Sequence, residues 1–228
     1  MNFDVTFSES KQSFDAAFGE VHNISDGGFE RGYAEGYTVG YAERESVVAG
    51  IVDRNIVEFN SDAVSSLGAN AFRSCTKLKT VIAPNATTVM SNSLSDCTQL
   101  TTAYLPNVTA VYGYAFLNCF ALSDLVLTNV KTIYSRAFDS CRSIPKIDFH
   151  ALQTIDSYAF TGGAALNTVI IRTEAVCKLN SVDAFNNTGI AKGTGFVYVP
   201  DNLVDSYKTA ANWSTYASQI KPLSELEA

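Results

Sequence analysis

The stretch "AFRSCTKLKTVIAP", residues 71–84, decides the fold, because its pattern returns along the chain. Phe72, Leu94, Phe116, Phe138 and Phe160 stand 22 residues apart. Ala71, Ser93, Ala115, Ala137 and Ala159 precede them. Cys75, Cys97, Cys119 and Cys141 keep the same step, with Gly163 on the fifth rung. Leu78, Leu100, Leu122, Ile144 and Leu166 follow in register, and a degenerate sixth unit starts at Ala184-Phe185. A fixed period of this length is the signature of a stacked repeat array.

Each unit carries a short strand. One apolar column runs Val81, Ala103, Leu125, Ile147, Val169, and a second, two residues on, runs Ala83, Leu105, Leu127, Phe149, Ile171. The alternation is that of a strand with one buried face. A later apolar pair in each unit, such as Val108 and Val111 or Val130 and Ile133, predicts a second inward turn or strand. One unit cannot bury its apolar face alone; stacked units can. The cysteines then form an internal ladder with rungs about 5 Å apart. That spacing permits a disulfide, but parallel Cα–Cβ vectors oppose one, and a small buried hydrophobe is the simpler reading. Thiolates in single file are not a tetrahedral metal site, and no C-x-x-C pair exists. Cys177 falls in the column of Val108, Val130 and Leu152, again a core position.

Ala71-Phe72 with Cys75 and Leu78, Ala115-Phe116 with Cys119 and Leu122, Pro106-Asn107-Val108-Thr109, and Ala137-Phe138 with Cys141 together resemble the BspA-like (treponemal-type) leucine-rich repeats of bacterial surface proteins. The resemblance spans residues 56–200 and implies an α/β solenoid of five to six units with a recognition role. Leu94, Gly163 and the proline-free "KIDFH" at 146–150 depart from the pattern. Residues 196–223 resemble the segment that closes such arrays. The expectation there is a helix capped by Asp201 or Asn202 that carries Leu203, Val204 and Tyr207 inward, with Trp213, Tyr216 and Ile220 covering the last edge.

The net charge of −7 is uneven: residues 1–47 hold three Lys or Arg against nine Asp or Glu. The domain reading is therefore an N-terminal segment over 1–47, repeats over 48–200 and a cap over 201–228. In "GGFERGYAEGYTVGYAE", residues 27–43, Gly28, Gly32, Gly36 and Gly40 recur every four residues, each followed by an aromatic: Phe29, Tyr33, Tyr37 and Tyr41. As a helix this makes a glycine stripe beside a ring stripe, at a cost of about 4 kcal/mol relative to alanine. Close approach of another backbone would offset that cost; a flexible Gly/Tyr linker is the alternative. Phe3, Val5, Phe7 and Phe14, Ala16, Phe18 alternate and predict a hairpin, which is marginal by itself. The segment reads as an attachment or oligomerisation device, and its "GYxxGYxxGY" pattern resembles N-terminal pieces of phage and prophage structural proteins.

No basic stripe suits nucleic acid. No apolar run is long enough to span a membrane, and no standard secretory signal opens the chain; the chain then stays inside the cell, leaves by another route or is built into a particle, and the resemblances imply a virion, extracellular or cell-surface location. Chemistry is sparse. His22 and His150 are the only histidines. A Cys141–His150 dyad would pair a core residue with one leaving the strand at another corner. Asp148 has Lys146 and Asp124 as expected neighbours, an ordinary surface ion pair. "GTGF" at 193–196 lacks the frame of a phosphate loop. No catalytic, cofactor or metal site is expected.

The outward strand column is Ile82, Tyr104, Val126, Asp148 and Ile170, flanked by Thr80, Thr102, Asp124 and Lys146. An apolar stripe with polar edges marks an interaction surface; β-forming residues on a solvated sheet, or cover from the N-terminal segment, are the alternatives. The sequence thus predicts a non-enzymatic module recognising a protein or glycan on a bacterial surface. The resemblance of its N-terminal segment implies display on a phage or prophage virion as a fibre or decoration, with residues 1–47 expected to join other virion proteins or further copies. A BspA-like cell-surface adhesin is the alternative.

Overall fold

The computed structural model describes residues 54–226 and the backbone of Val47–Val48. The hairpin and the Gly/Tyr helix expected before residue 47 lie outside the described residues.

In chain order the strands are β1 Val47–Val48, β2 Glu58–Asn60, β3 Ser66–Leu67, β4 Thr80–Ile82, β5 Thr88–Val89, β6 Thr102–Tyr104, β7 Ala110–Val111, β8 Asp124–Val126, β9 Thr132–Ile133, β10 Lys146–Phe149, β11 Thr154–Ile155, β12 Thr168–Ile171, β13 Lys178–Leu179, β14 Phe196–Val199 and β15 Ile220–Pro222. The short odd strands β1 to β13 form one seven-stranded sheet, here called the second ladder. The first ladder holds β2-β4-β6-β8 and β10-β12-β14-β15, two four-stranded sheets. The pairing is parallel, and Val81 faces Ala103, then Leu125, at the 22-residue step. This is the solenoid the period demands: each coil contributes one strand to each ladder, and the inward residues of both meet in a shared interior.

Phe72, Leu94, Phe116, Phe138, Phe160 and Phe185 are buried within that interior. Ring centroids are 4.9 Å apart for Phe116–Phe138, 5.4 Å for Phe138–Phe160 and 5.5 Å for Phe160–Phe185, all nearly parallel. The offset-stacked column is worth up to about 1 kcal/mol per pair beyond burial. Leu94 interrupts it without opening the core.

All five cysteines are free and buried. They are more than small hydrophobes. The Sγ of Cys97, Cys119 and Cys141 donate to the carbonyls of Phe72, Leu94 and Phe116, one rung back, at 3.0, 3.1 and 3.1 Å. Each of these carbonyls also accepts a turn N–H, from Cys75, Cys97 and Cys119 at 3.0, 3.3 and 3.1 Å, so the thiol is a second donor that ties the next coil to it. The turns themselves are tight: Asn70, Asn92, Tyr114, Arg136 and Tyr158 form one left-handed column, and Ser74, Asp96, Asn118 and Ser140 form another, completed by Gly162 at φ +72°. Two left-handed residues four apart fold the chain back over every Ala-Phe pair.

The first ladder parts between β8 and β10, and Pro145 explains why. The N–H of Lys79, Thr101, Ser123 and Asn167 each donates to the preceding coil, onto Val57, Lys79, Thr101 and Pro145 carbonyls at 2.7, 2.9, 3.1 and 3.1 Å. Pro145 occupies the same position and has no N–H to give. Leu125 beside the parting is partly exposed, whereas Val81, Ala103, Ile147 and Val169 of its column are at most 1% exposed.

The C-terminal cap differs in detail from expectation. Helix α1, Val204–Thr209, follows a single turn over Asp201–Leu203, and neither receives a side-chain cap. Asp201 instead accepts from the backbone N–H of Ser224 at 3.2 Å, which ties the start of the cap to its last turn. Tyr207, Trp213, Tyr216 and Ile220 are buried as expected. Trp213 and Tyr216 lie 5.9 and 5.7 Å from Phe185 and end the ring column. The cap also adds β15 to the first ladder beside β14, so it closes the array by pairing as well as by packing.

Candidate recognition surface

The outward face of the first ladder is built by alternation. Val81 and Ala103 turn inward, so Ile82 and Tyr104 between them and the next inward residue turn out. Ile82 and Val126 are half-buried, and Tyr104 is 42% exposed. Thr80 and Thr102 flank them half-buried, with Asp124 and Lys146 exposed. The register brings Thr80, Thr102 and Asp124 side by side, and likewise Ile82, Tyr104 and Val126.

Beyond the parting the column changes character. Ile170, expected outward and available, is 1% exposed. Its register neighbours are Asp148 and Tyr198, and Arg172, two residues along the same face, reaches across to Asp148. The isoleucine thus sits between Asp148 and Tyr198 in register, beside the Arg172–Asp148 pair. The partner of Asp148 is therefore Arg172, through Nε at 2.9 Å and Nη2 at 3.0 Å, and not Lys146. The planar fork fits both carboxylate oxygens at once, a geometry a lysine ammonium cannot match. His150 Nε2 adds a contact at 3.5 Å to the same carboxylate. About a third of each ion-pair side chain remains in water, so the pair contributes less than about 1 kcal/mol. The apolar part of the surface is reduced to Ile82, Tyr104 and Val126.

Two further surface features escaped the sequence reading. Residues one past each second-ladder strand point outward, which places Tyr112 and Tyr134 in a parallel stack at 4.8 Å. Arg136 lies over the Tyr158 ring at 4.6 Å, and Tyr114 is 41% exposed. The signal was present in "VYGYAF" and "IYSRAF" at 111–116 and 133–138. At the corner between the ladders, Asn85, Asn107, Asn129, Thr87, Thr109 and Lys131 line a shallow groove of about 460 Å³. Their donors turn inward: Asn85 Nδ2 to the Asp62 carbonyl at 2.7 Å, Asn107 Nδ2 to that of Pro84 at 2.9 Å, Thr109 Oγ1 to that of Thr87 at 3.2 Å. The asparagine and threonine rows hold coil to coil.

Nothing here assembles reactive groups. Cys141 is buried and its thiol is pushed up by desolvation, while His150 is exposed beside Asp148; the dyad does not form. Among the described residues no group of three or more His, Cys, Asp or Glu converges to hold a metal ion, and no helix is long and apolar enough to cross a membrane.

Seven chains of solved structures match this one. One is the crystal structure of a leucine-rich repeat protein from Bacteroides ovatus, 19% identical, TM-score 0.46, with 65% of this chain and 44% of that chain covered. This chain thus spans less than half of that protein's length. No curated protein matches the sequence. The family model described as the BspA type leucine rich repeat region, in six copies, matches residues 53–167 and 87–194. Those residues are the coils whose strands, stacked rings and thiol ladder are described above, and they make up more than half of the chain: it belongs to the BspA type leucine-rich repeat family.

Proposed function

We propose that the chain is a non-enzymatic recognition module whose first-ladder face binds a protein or glycan partner around Ile82, Tyr104 and Val126. The observation that carries this reading is Tyr104: a large ring left 42% exposed between two half-buried aliphatic neighbours, in a protein whose interior is already filled. Tyrosine ringed by polar Thr80, Thr102 and Asp124 is the composition of an interface centre.

The surface that displays the module has two supports. Family membership supports a bacterial cell-surface adhesin. The "GYAEGYTVGY" run at 32–41, which the family match does not include, supports a phage or prophage virion component docked through residues 1–47. Immunogold labelling of the source culture separates them: gold on the cell wall favours the adhesin, gold on particles the virion component.

The binding face is tested with labelled protein added to a panel of intact bacterial cells, untreated, protease-treated or periodate-treated. Loss of binding after protease identifies a protein receptor, and loss after periodate a glycan. The double substitution Tyr104→Lys, Val126→Lys should abolish binding while the circular dichroism spectrum stays unchanged. Undiminished binding by the folded double variant would overturn the assignment.

A further inference from the structure

We infer that the first-ladder face is self-complementary, and that two copies of the chain close on one another through it about a two-fold axis between the coils of β8 and β10. The inference rests on the reading of this face as an interface. It names a second copy as the occupant that any other partner must displace.

Two charges without counter-ions carry it. Asp124 and Lys146 are both exposed and hold equivalent positions on neighbouring coils, 22 residues apart. The ion pairs among the described residues join Arg136 to Asp139, Asp148 to Arg172 and His150, and Lys221 to Glu225. Asp124 and Lys146 enter none of these, and no ion pair joins them to each other. The wider face repeats their polarity. Outward positions of β2 to β8 hold the carboxylates of Glu58 and Asp124, whereas beyond β8 the cations of Lys146, Arg172 and Lys221 outnumber the carboxylate of Asp148. One half of the face is acidic and the other basic.

A two-fold contact puts the same patch on both copies, so residue i meets j and j meets i. An axis lying in the interface along the strands, between these two coils, reverses the order of the coils. Asp124 then faces the partner's Lys146, and Lys146 faces the partner's Asp124. The registers on either side of the boundary align the remaining rows. Thr102 falls opposite Thr168, Ile82 opposite Tyr198, and the exposed Tyr104 ring opposite Ile170. Val126 meets Asp148, whose charge is already held by the two bonds from Arg172. Eight strands at about 4.8 Å make a face about 34 Å long and roughly 20 Å wide. A footprint on the order of 600–700 Å² per copy suits a reversible dimer rather than an obligate one. Such a dimer covers Tyr104 until a tighter partner takes its place.

Sedimentation equilibrium of the whole chain, over a micromolar-to-millimolar series, reads the association. The unmodified protein should pass reversibly from monomer to dimer, more weakly at high salt. Asp124→Lys and Lys146→Asp should each weaken association about tenfold or more, by setting like charges opposite one another. Mixed one to one, the two variants should associate as tightly as the unmodified protein, because each copy supplies the charges the other lacks. An unmodified protein that stays monomeric throughout would overturn the inference with no variant needed. So would single variants that associate like the unmodified protein, or a mixture no tighter than either variant alone. The cell-binding assay keeps the two readings apart. A monomer whose Tyr104→Lys, Val126→Lys variant loses binding to cells sinks the dimer and leaves the recognition face standing. Charge-dependent dimers whose double-lysine variant still binds cells do the reverse.

Discussion

Cys119 Sγ donates to the Leu94 carbonyl at 3.1 Å, and the same bond joins Cys141 to Phe116. The contact links consecutive coils through a side chain that the repeat places at a fixed depth. Replacing the thiol leaves a void and takes one of two donors from the Leu94 carbonyl, which keeps the Cys97 N–H at 3.3 Å. Cys119→Ala should lower stability by about 1–3 kcal/mol, read as a shift in the urea midpoint at unchanged slope. Cys119→Ser keeps a donor and should recover part of the loss.

The thiols also set a pH dependence. Burial pushes the Cys119 thiol well above its ordinary 9.0, and Cys177 up to about 12; Tyr207 is likewise pushed to about 12 by burial. The unfolded chain releases these protons from near 9 upward while the folded chain keeps them. Their contribution is therefore complete below that pH and is lost as pH climbs toward and through 12. Denaturation midpoints should hold between pH 7 and 8 and fall steadily above 9. Ellman's reagent at pH 8 should find almost no reactive thiol in the native protein and five in denaturant, the number of cysteines in the chain.

Trp213 Nε1 donates to the Cys177 carbonyl at 2.6 Å, and the Tyr207 hydroxyl accepts from the Cys177 N–H at 2.9 Å. The cap thus holds both backbone groups of one residue in the last full coil. Trp213→Ala removes a donor and a fully buried ring, and should cost about 3–5 kcal/mol. Tyr207→Phe keeps the ring and leaves the Cys177 N–H unpaired, at about 1–3 kcal/mol. Thermal unfolding followed by circular dichroism measures both. If Tyr207→Phe proves as damaging as Trp213→Ala, the hydrogen bond outweighs the packing, contrary to this ordering.

Tyr114 sits at φ +60° with its ring 41% exposed. Its column fellows Asn70 and Asn92 show the residue type that suits this backbone, because a short amide side chain tolerates the left-handed region. Tyr114→Asn should stabilise the array by up to about 1 kcal/mol. The opposite substitution, Gly162→Ala at φ +72°, should destabilise by a similar amount, since its new Cβ would also come within 3.2 Å of Ser140 Oγ.

The repeat, the ring column, the thiol ladder and the buried cap aromatics were legible because each depends only on spacing along the chain. A 22-residue period with inward apolar alternation places Phe138 over Phe116 whatever the surface does. The candidate surface was only half legible. Ile82, Tyr104 and Val126 followed from alternation, but Ile170 did not. Its register neighbour Tyr198 lies on a strand 28 residues later in the chain, and Arg172 reaches along the same face to Asp148. Asp148 paired with Arg172 because a guanidinium fork can cross between neighbouring strands, which no column in the sequence displays. The parting at Pro145 had a visible signal, a proline in the column of Lys79, Thr101 and Ser123. It acquired meaning only when that column proved to carry the hydrogen bonds between coils.

The sequence by itself determined the order of the coils and which side chains enter the interior, since strand alternation and a constant repeat leave no freedom in either. Tertiary structure alone decided how much of the outer face stays open and where the stack loses its continuity. Both depend on contacts across coil boundaries, where one side chain's length or one missing N–H outweighs the local pattern.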